Sequence, residues 1–301
     1  MHPNQLQDTA VRYFLEVVRS GSLTEASSRL HVAASAISRQ IAGLEQSLGT
    51  VLFERQPRGM VPTAAGEILA AHARRASLDA EHALEEIMAL QGLRSGRVRL
   101  ATSEGFAAQF LPPLIVEFRE RYQRISFQVS VESPANVPVR IRDGDADIGL
   151  TFSRAAERDI RVEHRQPSPV LALVPPGHAL AGAKAVTLRS LSAYPMALPL
   201  DNTTIRQMID IACSRQQLLI EPVLSTNYMS TLVNFVLEGG GISVAGEVSV
   251  RQLVKAGRLV AIPIRDHGME LRDIELQTLA GRTLPHAAQS FLDHLKLHLP
   301  G

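Results

Sequence analysis

The sequence predicts an α/β protein with a small helical domain, a long connecting helix and a larger domain of alternating strands and helices. Three observations support this. Apolar residues recur at helical spacing in short segments up to Leu48, and Gly21 and Gly49 mark the segment ends. Residues 64–91 contain one glycine and no proline. From Arg97 onward, short strand-like runs alternate with helical ones, which indicates a parallel or mixed sheet.

Composition narrows the class of protein. The chain has 301 residues, 45% hydrophobic and 20% charged, which is typical of globular domains with a substantial core. Its net charge of +1 means that any nucleic-acid contact must come from a local basic patch. Cys213 is the single cysteine, and the N-terminus lacks the pattern of a signal peptide. No apolar run approaches the ~20 residues of a membrane span. We therefore expect a cytoplasmic protein with no membrane partner.

Residues 22–48 read as two short helices joined by a tight turn. Ser22 and Glu25 have the spacing of a capping box at the start of the first helix. The second helix places an apolar stripe on one face, formed by Ile37, Ile41, Leu44 and Leu48. Its opposite face carries Ser35, Ser38 and Arg39. Two interpretations fit this pattern: a helix-turn-helix whose second helix reads DNA, or an ordinary helical hairpin in a core.

Residues 51–63 form two short apolar stretches around a Pro-Arg-Gly turn, which predicts a small hairpin, or wing. Arg55 and Arg58 would project from it. Such arginines enter a minor groove or hold a phosphate when the hairpin stands beside a helix-turn-helix. The alternative is a solvated turn.

Several ordered segments now carry a specific resemblance. They read FLEVVRSGSLTEASSRL, SAISRQIAGLEQSLG, LFER and RGMVPTAAGE. Residues 1–63 thereby resemble the winged helix-turn-helix of the LysR-type transcriptional regulators. The resemblance implies that Ser35, Ser38 and Arg39 face the major groove and that Arg55 and Arg58 belong to the wing. One departure is that the family often has Ser-Gln where this chain has Ala33-Ala34, so the usual helix cap is missing.

Residues 64–91 predict one long helix with a heptad seam at alternating spacings of four and three. The seam consists of Leu69, Ala73, Ala76, Ala80, Ala83, Ile87 and Leu90. Such a helix either pairs with a second chain or packs on its own domain. The resemblance implies the first, since in the family this linker helix dimerises, giving a homodimer or homotetramer. Residues 92–96 would form a hinge.

Residues 97–301 resemble the LysR effector domain. The resemblance implies two similar subdomains, like those of periplasmic solute-binding proteins, between which the chain crosses twice. We place the crossings near His164–Pro169 and Arg265–Gly268. Subdomain I would then be 97–165 with 268–301, and subdomain II 166–267.

Ligands of open α/β sheets bind beyond the carboxyl ends of strands, where helix N-termini offer free N–H groups. Hydroxyl and amide side chains cluster at such positions here and suit a carboxylate or another small anion. The candidates are Thr102, Ser103, Ser133, Asn136, Thr151, Asn202, Thr203, Thr204 and Asn227. The alternative for each is a simple helix cap.

Other chemistry finds little support. His294 and His298 are four residues apart on a predicted helix, but no third ligand is evident from the sequence, so we expect no metal. No catalytic triad or cofactor fingerprint is present, so we expect neither a catalytic residue nor a cofactor other than a small-molecule effector. The resemblance implies a regulator that binds an inverted-repeat operator in double-stranded DNA. A solute-binding module and an α/β enzyme are the alternatives.

Overall fold

The structure, a computed structural model, describes residues 8–56, 59–90, 96–152, 157–201, 203–270 and 272–299, without the side chains of residues 55, 85 and 88–90. The chain forms two compact units. Unit 1 consists of Met1–Ser95 with Arg142–Gly144 and Gly281–His286, and unit 2 consists of the remainder.

Unit 1 contains three short helices, a hairpin and one long helix. In chain order these are α1 (Thr9–Ser20), α2 (Leu23–Leu30), α3 (Ala34–Leu48), β1 (Phe53–Gln56), β2 (Gly59–Pro62) and α4 (Ala64–Leu90). The buried side chains of Phe14, Ala26, Ile37, Leu52 and Ala70 bring α1–α4 and the segment before β1 into one core. Helix-turn-helix, wing and long helix are thus all present, as predicted.

Local capping explains where these helices begin. The Ser22 hydroxyl accepts a hydrogen bond from the Glu25 N–H at 3.4 Å, as predicted, but the Glu25 carboxylate pairs with Arg29 at 3.1 Å. Thr63 caps α4 by accepting from the Gly66 N–H at 3.1 Å. At the start of α3, Ala33 makes no side-chain cap, which confirms the expected departure.

Unit 2 alternates strands and helices. The strands are β3 (Gly96–Ser103), β4 (Ile125–Glu132), β5 (Ile148–Phe152), β6 (Ile160–Pro167), β7 (Val170–Val174), β8 (Ala197–Pro199), β9 (Leu224–Thr226), β10 (Ser243–Gly246), β11 (Val260–Pro263) and β12 (Asp273–Leu279). The helices are α5 (Glu104–Ala107), α6 (Leu111–Arg121), α7 (Val137–Arg142), α8 (Leu188–Leu191), α9 (Thr204–Arg215), α10 (Met229–Leu237), α11 (Arg251–Lys255) and α12 (His286–His298).

The strands form two separate groups. One five-stranded sheet has the order β4-β3-β5-β12-β6, with β3 parallel to β4 and β5 and β12 antiparallel to its neighbours. The second group contains the antiparallel sheet β10-β7-β11 and the parallel pair β8-β9, which single bridges join to β10 and β11. The core of the second group includes Val170, Leu188, Ile209 and Val244. The described segments therefore follow the predicted mixed α/β pattern.

The chain passes between the two groups of strands at two neighbouring points. β6 stays in the five-stranded sheet until Pro167, so the first passage lies at Ser168 and Pro169. The second lies between β11 and β12, and the Ser168 N–H donates to the Arg272 carbonyl at 2.7 Å. Gly96, expected in the hinge, instead begins β3, and the rest of that hinge lies outside the described residues.

Candidate functional sites

The front of α3 is a polar surface with unused hydrogen-bonding groups. Ser35 and Arg39 are exposed and Ser38 is half-buried, whereas Ile37 and Ile41 on the opposite side are buried. Within the described part of the chain, the side chains of Ser35, Ser38 and Arg39 make no hydrogen bond or ion pair. The helix is therefore held by its apolar back, and its front is free to bind base edges and phosphates.

The wing is anchored to the end of α1. β1 and β2 pair antiparallel, and Arg55 lies opposite Met60. The Met60 N–H donates to the Gly21 carbonyl at 2.7 Å, and a Cβ at Gly59 would lie 2.3 Å from that oxygen. Glycine at position 59 is therefore required for this close approach. The side chain of Arg55 and all of Arg58 lie outside the described residues.

The predicted seam of α4 has two parts. Toward its start, Leu69 packs on the core of unit 1, and Ala73 and Ala80 are already buried within the single chain. Farther along, Ala83 is half-buried and Ile87 is 42% exposed. Ala76 is exposed. The side chain of Leu90 lies outside the description. A partner helix would therefore meet the C-terminal part of α4 first.

A small pocket lies between the two groups of strands in unit 2. Its volume is about 100 Å³, small beside the ~300–1,000 Å³ of pockets that hold drug-sized ligands. The lining residues are Ser103, Glu104, Gly105, Pro134, Phe152, Pro199, Thr203, Thr204, Ile205, Thr226, Asn227, Met229, Leu232, Ser249 and Arg272. Helix and strand ends from both groups thus meet around a single cavity.

Arg272 is a buried cation in the wall of this pocket. Its guanidinium carbon lies 3.8 Å from the centre of the Phe152 ring, a cation–π contact. Nε donates to the Ser168 carbonyl at 3.2 Å, and Nη2 bonds to the Ser168 hydroxyl at 3.4 Å. A Cβ at Gly246 would lie 2.3 Å from Nη2, so glycine makes room for the guanidinium. In the part of the chain that the structure describes, no carboxylate pairs with Arg272.

Burial sets the electrostatic state of Arg272. Only 2% of the residue is exposed, and desolvation lowers the pKa of the guanidinium to about 9. The group is still positively charged at pH 7. The pocket therefore contains a desolvated positive charge, which favours an anion beside it.

Glu104 is the anion in the same pocket, and its hydrogen bonds lead elsewhere. Its carboxylate accepts from the Met229 N–H at 2.6 Å and from the Ser230 N–H at 3.3 Å, and the Ser230 hydroxyl lies 3.1 Å away. The carboxylate thus caps the N-terminus of α10, where the helix dipole favours negative charge. This contact connects the two groups of strands across the pocket.

The structure brings four of the nine predicted effector residues to the pocket wall: Ser103, Thr203, Thr204 and Asn227. Thr102 is fully buried and bonds the Leu150 carbonyl at 3.1 Å. Thr151 is buried behind the wall, with its hydroxyl 2.9 Å from that of Ser103. Ser133 and Asn136 are exposed and flank the lining residue Pro134. Asn202 lies outside the described residues.

The polar groups at the wall are not equally available. Thr203 caps α9: its hydroxyl accepts from the Arg206 N–H at 3.3 Å and donates to the Leu200 carbonyl at 2.8 Å. The Thr204 hydroxyl is buried and has no hydrogen-bond partner among the described residues. Thr204 and Arg272 are therefore the wall residues best placed to take a ligand's polar atoms.

Sequence reasoning missed Arg272 and Glu104. Nothing in the local sequence distinguishes Arg272, because its pocket forms only when residues 104 to 272 fold together. Glu104 follows the predicted strand-end hydroxyls directly. A charged residue at that position was the one available signal.

Comparison with known proteins agrees with this architecture. Residues 9–67 match the model of the bacterial regulatory helix-turn-helix protein, lysR family, and residues 91–300 match that of the LysR substrate binding domain. The HTH-type transcriptional regulator CbbR of Sinorhizobium medicae is 31% identical over 254 residues, covering 83% of this chain and 80% of CbbR.

Solved structures share the fold. Full-length OxyR from Pseudomonas aeruginosa superimposes with a TM-score of 0.71 at 19% identity, covering 96% of this chain and 94% of OxyR. The regulatory domain of Synechocystis CcmR, solved in complex with 2-PG, gives a TM-score of 0.56 at 21% identity, covering 68% of this chain and 97% of that one.

Among the described helices, none combines the length and apolar character needed to cross a bilayer. The relatives are named as transcriptional regulators, and not as enzymes or solute-binding proteins. With family models matching both the reading domain and most of the remaining chain, this protein belongs to the LysR family of DNA-binding transcriptional regulators.

Proposed function

We propose that this regulator binds a small anion beside Arg272 and that binding changes how the protein acts at an inverted-repeat operator. The observation that carries the proposal is the buried guanidinium in the pocket wall without a carboxylate partner among the described residues. A bound carboxylate, phosphate or sulfate group would supply that partner through charge-assisted hydrogen bonds.

The remaining wall fits a small polar ligand. The free Thr204 hydroxyl and the Ser103 hydroxyl supply polar contacts, and Phe152 and Leu232 supply apolar surface. The CcmR regulatory domain solved with 2-PG supports a small-molecule ligand for this chain as well.

The position of Arg272 connects the ligand to subdomain arrangement. Arg272 bonds Ser168 through both backbone and side chain, and these two residues lie where the chain passes between the groups of strands. We take these groups as two subdomains, with the chain crossing at Ser168 and Pro169 and again between β11 and β12. An anion that binds one arrangement of the subdomains more tightly would shift the population toward it.

The DNA-reading half of the proposal rests on α3. Ser35, Ser38 and Arg39 would bind the major groove, with Arg55 and Arg58 on the wing. A homodimer or homotetramer, paired through α4, would present two recognition helices to two half-sites. Because the operator is chromosomal DNA, we place the protein in the cytoplasm.

The test uses the full chain. Isothermal titration calorimetry compares small carboxylates, phosphates and sulfates with neutral amide or alcohol analogues. Gel-shift titrations then use DNA that flanks the gene for this chain, with and without the bound anion. We expect at least one anion to bind one per chain and to change the affinity or the pattern of the DNA complex. Binding of neutral analogues alone, or an unchanged DNA complex, would contradict the proposal.

A further inference from the structure

α6 and α12 bring together three metal-binding side chains, away from the pocket. His294 and His298 are one turn apart on α12, and Glu117 lies on α6. One potential ligand atom from each side chain lies within 4.8 Å of the others. From the sequence, the two histidines lacked a third ligand, and the fold supplies it. We propose that Glu117, His294 and His298 bind a divalent transition-metal ion, with Zn²⁺ as the ion to test.

The hydrogen bonding of His298 prepares it for a metal. Its Nδ1 lies 2.9 Å from the His294 carbonyl, which only accepts, so Nδ1 carries the proton. In the neutral ring the lone pair is then on Nε2, and Nε2 lies 3.4 Å from the Glu117 carboxylate. A lone pair facing a carboxylate is unfavourable unless a cation lies between them. A backbone carbonyl that fixes the tautomer in this way is the usual support of a metal-binding histidine.

His294 also has an unused nitrogen. Its Nε2 is buried and has no hydrogen-bond partner among the described residues. The ring packs against Phe118 at 5.5 Å and Phe291 at 6.0 Å between centroids, so its position is fixed. Burial lowers the pKa of His294, and the nearby His298 lowers it further, which keeps the ring in the neutral form that binds metals.

The donor set matches zinc chemistry. Two imidazole nitrogens and one carboxylate oxygen leave a fourth position for water, as in three-ligand zinc sites. Bonds of ~2.0–2.2 Å require the donors to approach one another by about 1 Å. Glu117 and His298 have room for this, since their side chains are 55% and 33% exposed. The site would hold α6 to α12 and does not depend on the effector or on DNA.

The test is titration of Zn²⁺ into the full-length chain, without an affinity tag and freed of metal with a chelator. We expect saturation at one ion per chain, with an increase in the melting temperature. His298→Gln and Glu117→Gln, both partly exposed, should each weaken binding at least about tenfold. His267→Gln is the matched control, because His267 lies 3.5 Å from Glu270 without a third ligand.

The alternative is that a proton alone fills the gap and that His298 and Glu117 form a simple ion pair. Absence of a saturable Zn²⁺ site would then be observed and would overturn the proposal. An unchanged affinity in both His298→Gln and Glu117→Gln, or an equal loss in His267→Gln, would overturn it as well. Circular dichroism of each variant verifies that the fold is retained.

Discussion

The front of α3 and the pocket of unit 2 both present serine and threonine hydroxyls, but they use them differently. On α3, Ser35 and Ser38 make no side-chain hydrogen bond within the described residues. In the pocket, Thr203 bonds backbone groups of its own segment, and Ser103 bonds Thr151. The surface of α3 is therefore free for a large polar partner. In the pocket the unsatisfied groups are fewer, chiefly a buried cation and one hydroxyl.

This difference separates two ways of building a binding site. An exposed surface costs little to leave unpaired, because water solvates it until DNA arrives. A buried guanidinium is costly without a counter-charge, so its retention in a pocket indicates a ligand of opposite charge. Arg99 shows the contrasting case within the same unit, since it pairs with the buried carboxylate of Asp147 at 2.9 Å.

The largest expected effect is on the pocket. Arg272→Met keeps most of the side-chain volume and removes the charge. We expect anion affinity to fall about 100-fold or more, because the ligand's charge would be buried without a partner. Calorimetry measures the affinity, and Arg161→Met, an exposed arginine on β6, is the control. Thermal stability without ligand should be unchanged or higher, since a desolvated charge is removed. Retained anion affinity would disprove the assignment of the pocket.

The α3 surface should respond next. Arg39→Ala removes an exposed guanidinium and should weaken operator binding roughly 10- to 100-fold, with reduced discrimination against scrambled DNA. Gel shifts at fixed salt measure both quantities, again with Arg161→Ala as the control. Equal binding of the variant and the wild type would show that the reading surface lies elsewhere on unit 1.

Self-association tests whether the accessible part of α4 is an interface. Ile87→Glu places a charge on the predicted seam, and we expect the dimer to dissociate about tenfold more readily because a charge would be desolvated there. Ile68→Glu is the matched control, since Ile68 is 75% exposed on the same helix but off the seam. Sedimentation velocity measures both. A larger effect at Ile68 would move the interface to that face of α4.

Glu104 sharpens the view of the pocket. Glu104→Gln retains a hydrogen-bond acceptor for the α10 N-terminus and removes a negative charge from the wall. We expect anion affinity to rise roughly three- to tenfold, as ~1 kcal/mol of Coulomb repulsion is lost at an effective dielectric of about 20. Glu238→Gln, at the other end of α10, is the control. A fall in affinity would instead show that the Glu104 contact holds the binding-competent arrangement.

These regions also differ in how far the sequence could predict them. The α2–α3 unit was predictable because capping, turn and apolar stripe lie within residues 22–48. The pocket was not, because strand-end side chains alternate in direction, and sequence cannot tell whether Thr102 or Ser103 faces the cavity. Thr203 was placed correctly at a helix start, yet its hydroxyl serves mainly as the cap. Arg272 needed the whole fold, since its neighbours Ser168 and Phe152 are more than 100 residues away.

The smallest expected effect concerns the start of α3. Ala33 already has the extended conformation of an N-cap, with φ −64° and ψ 138°, but provides no side-chain acceptor. Ala33→Ser should therefore stabilise the reading domain by about 0.5–1 kcal/mol without backbone strain, whereas Ser22→Ala should destabilise α2 by a similar amount. Urea unfolding followed by circular dichroism measures both. If Ala33→Ser leaves stability unchanged while Ser22→Ala lowers it, water already satisfies the free N–H groups of α3. The exposed front of that helix would then be more fully hydrated than that of α2, and DNA would have to displace that water on binding.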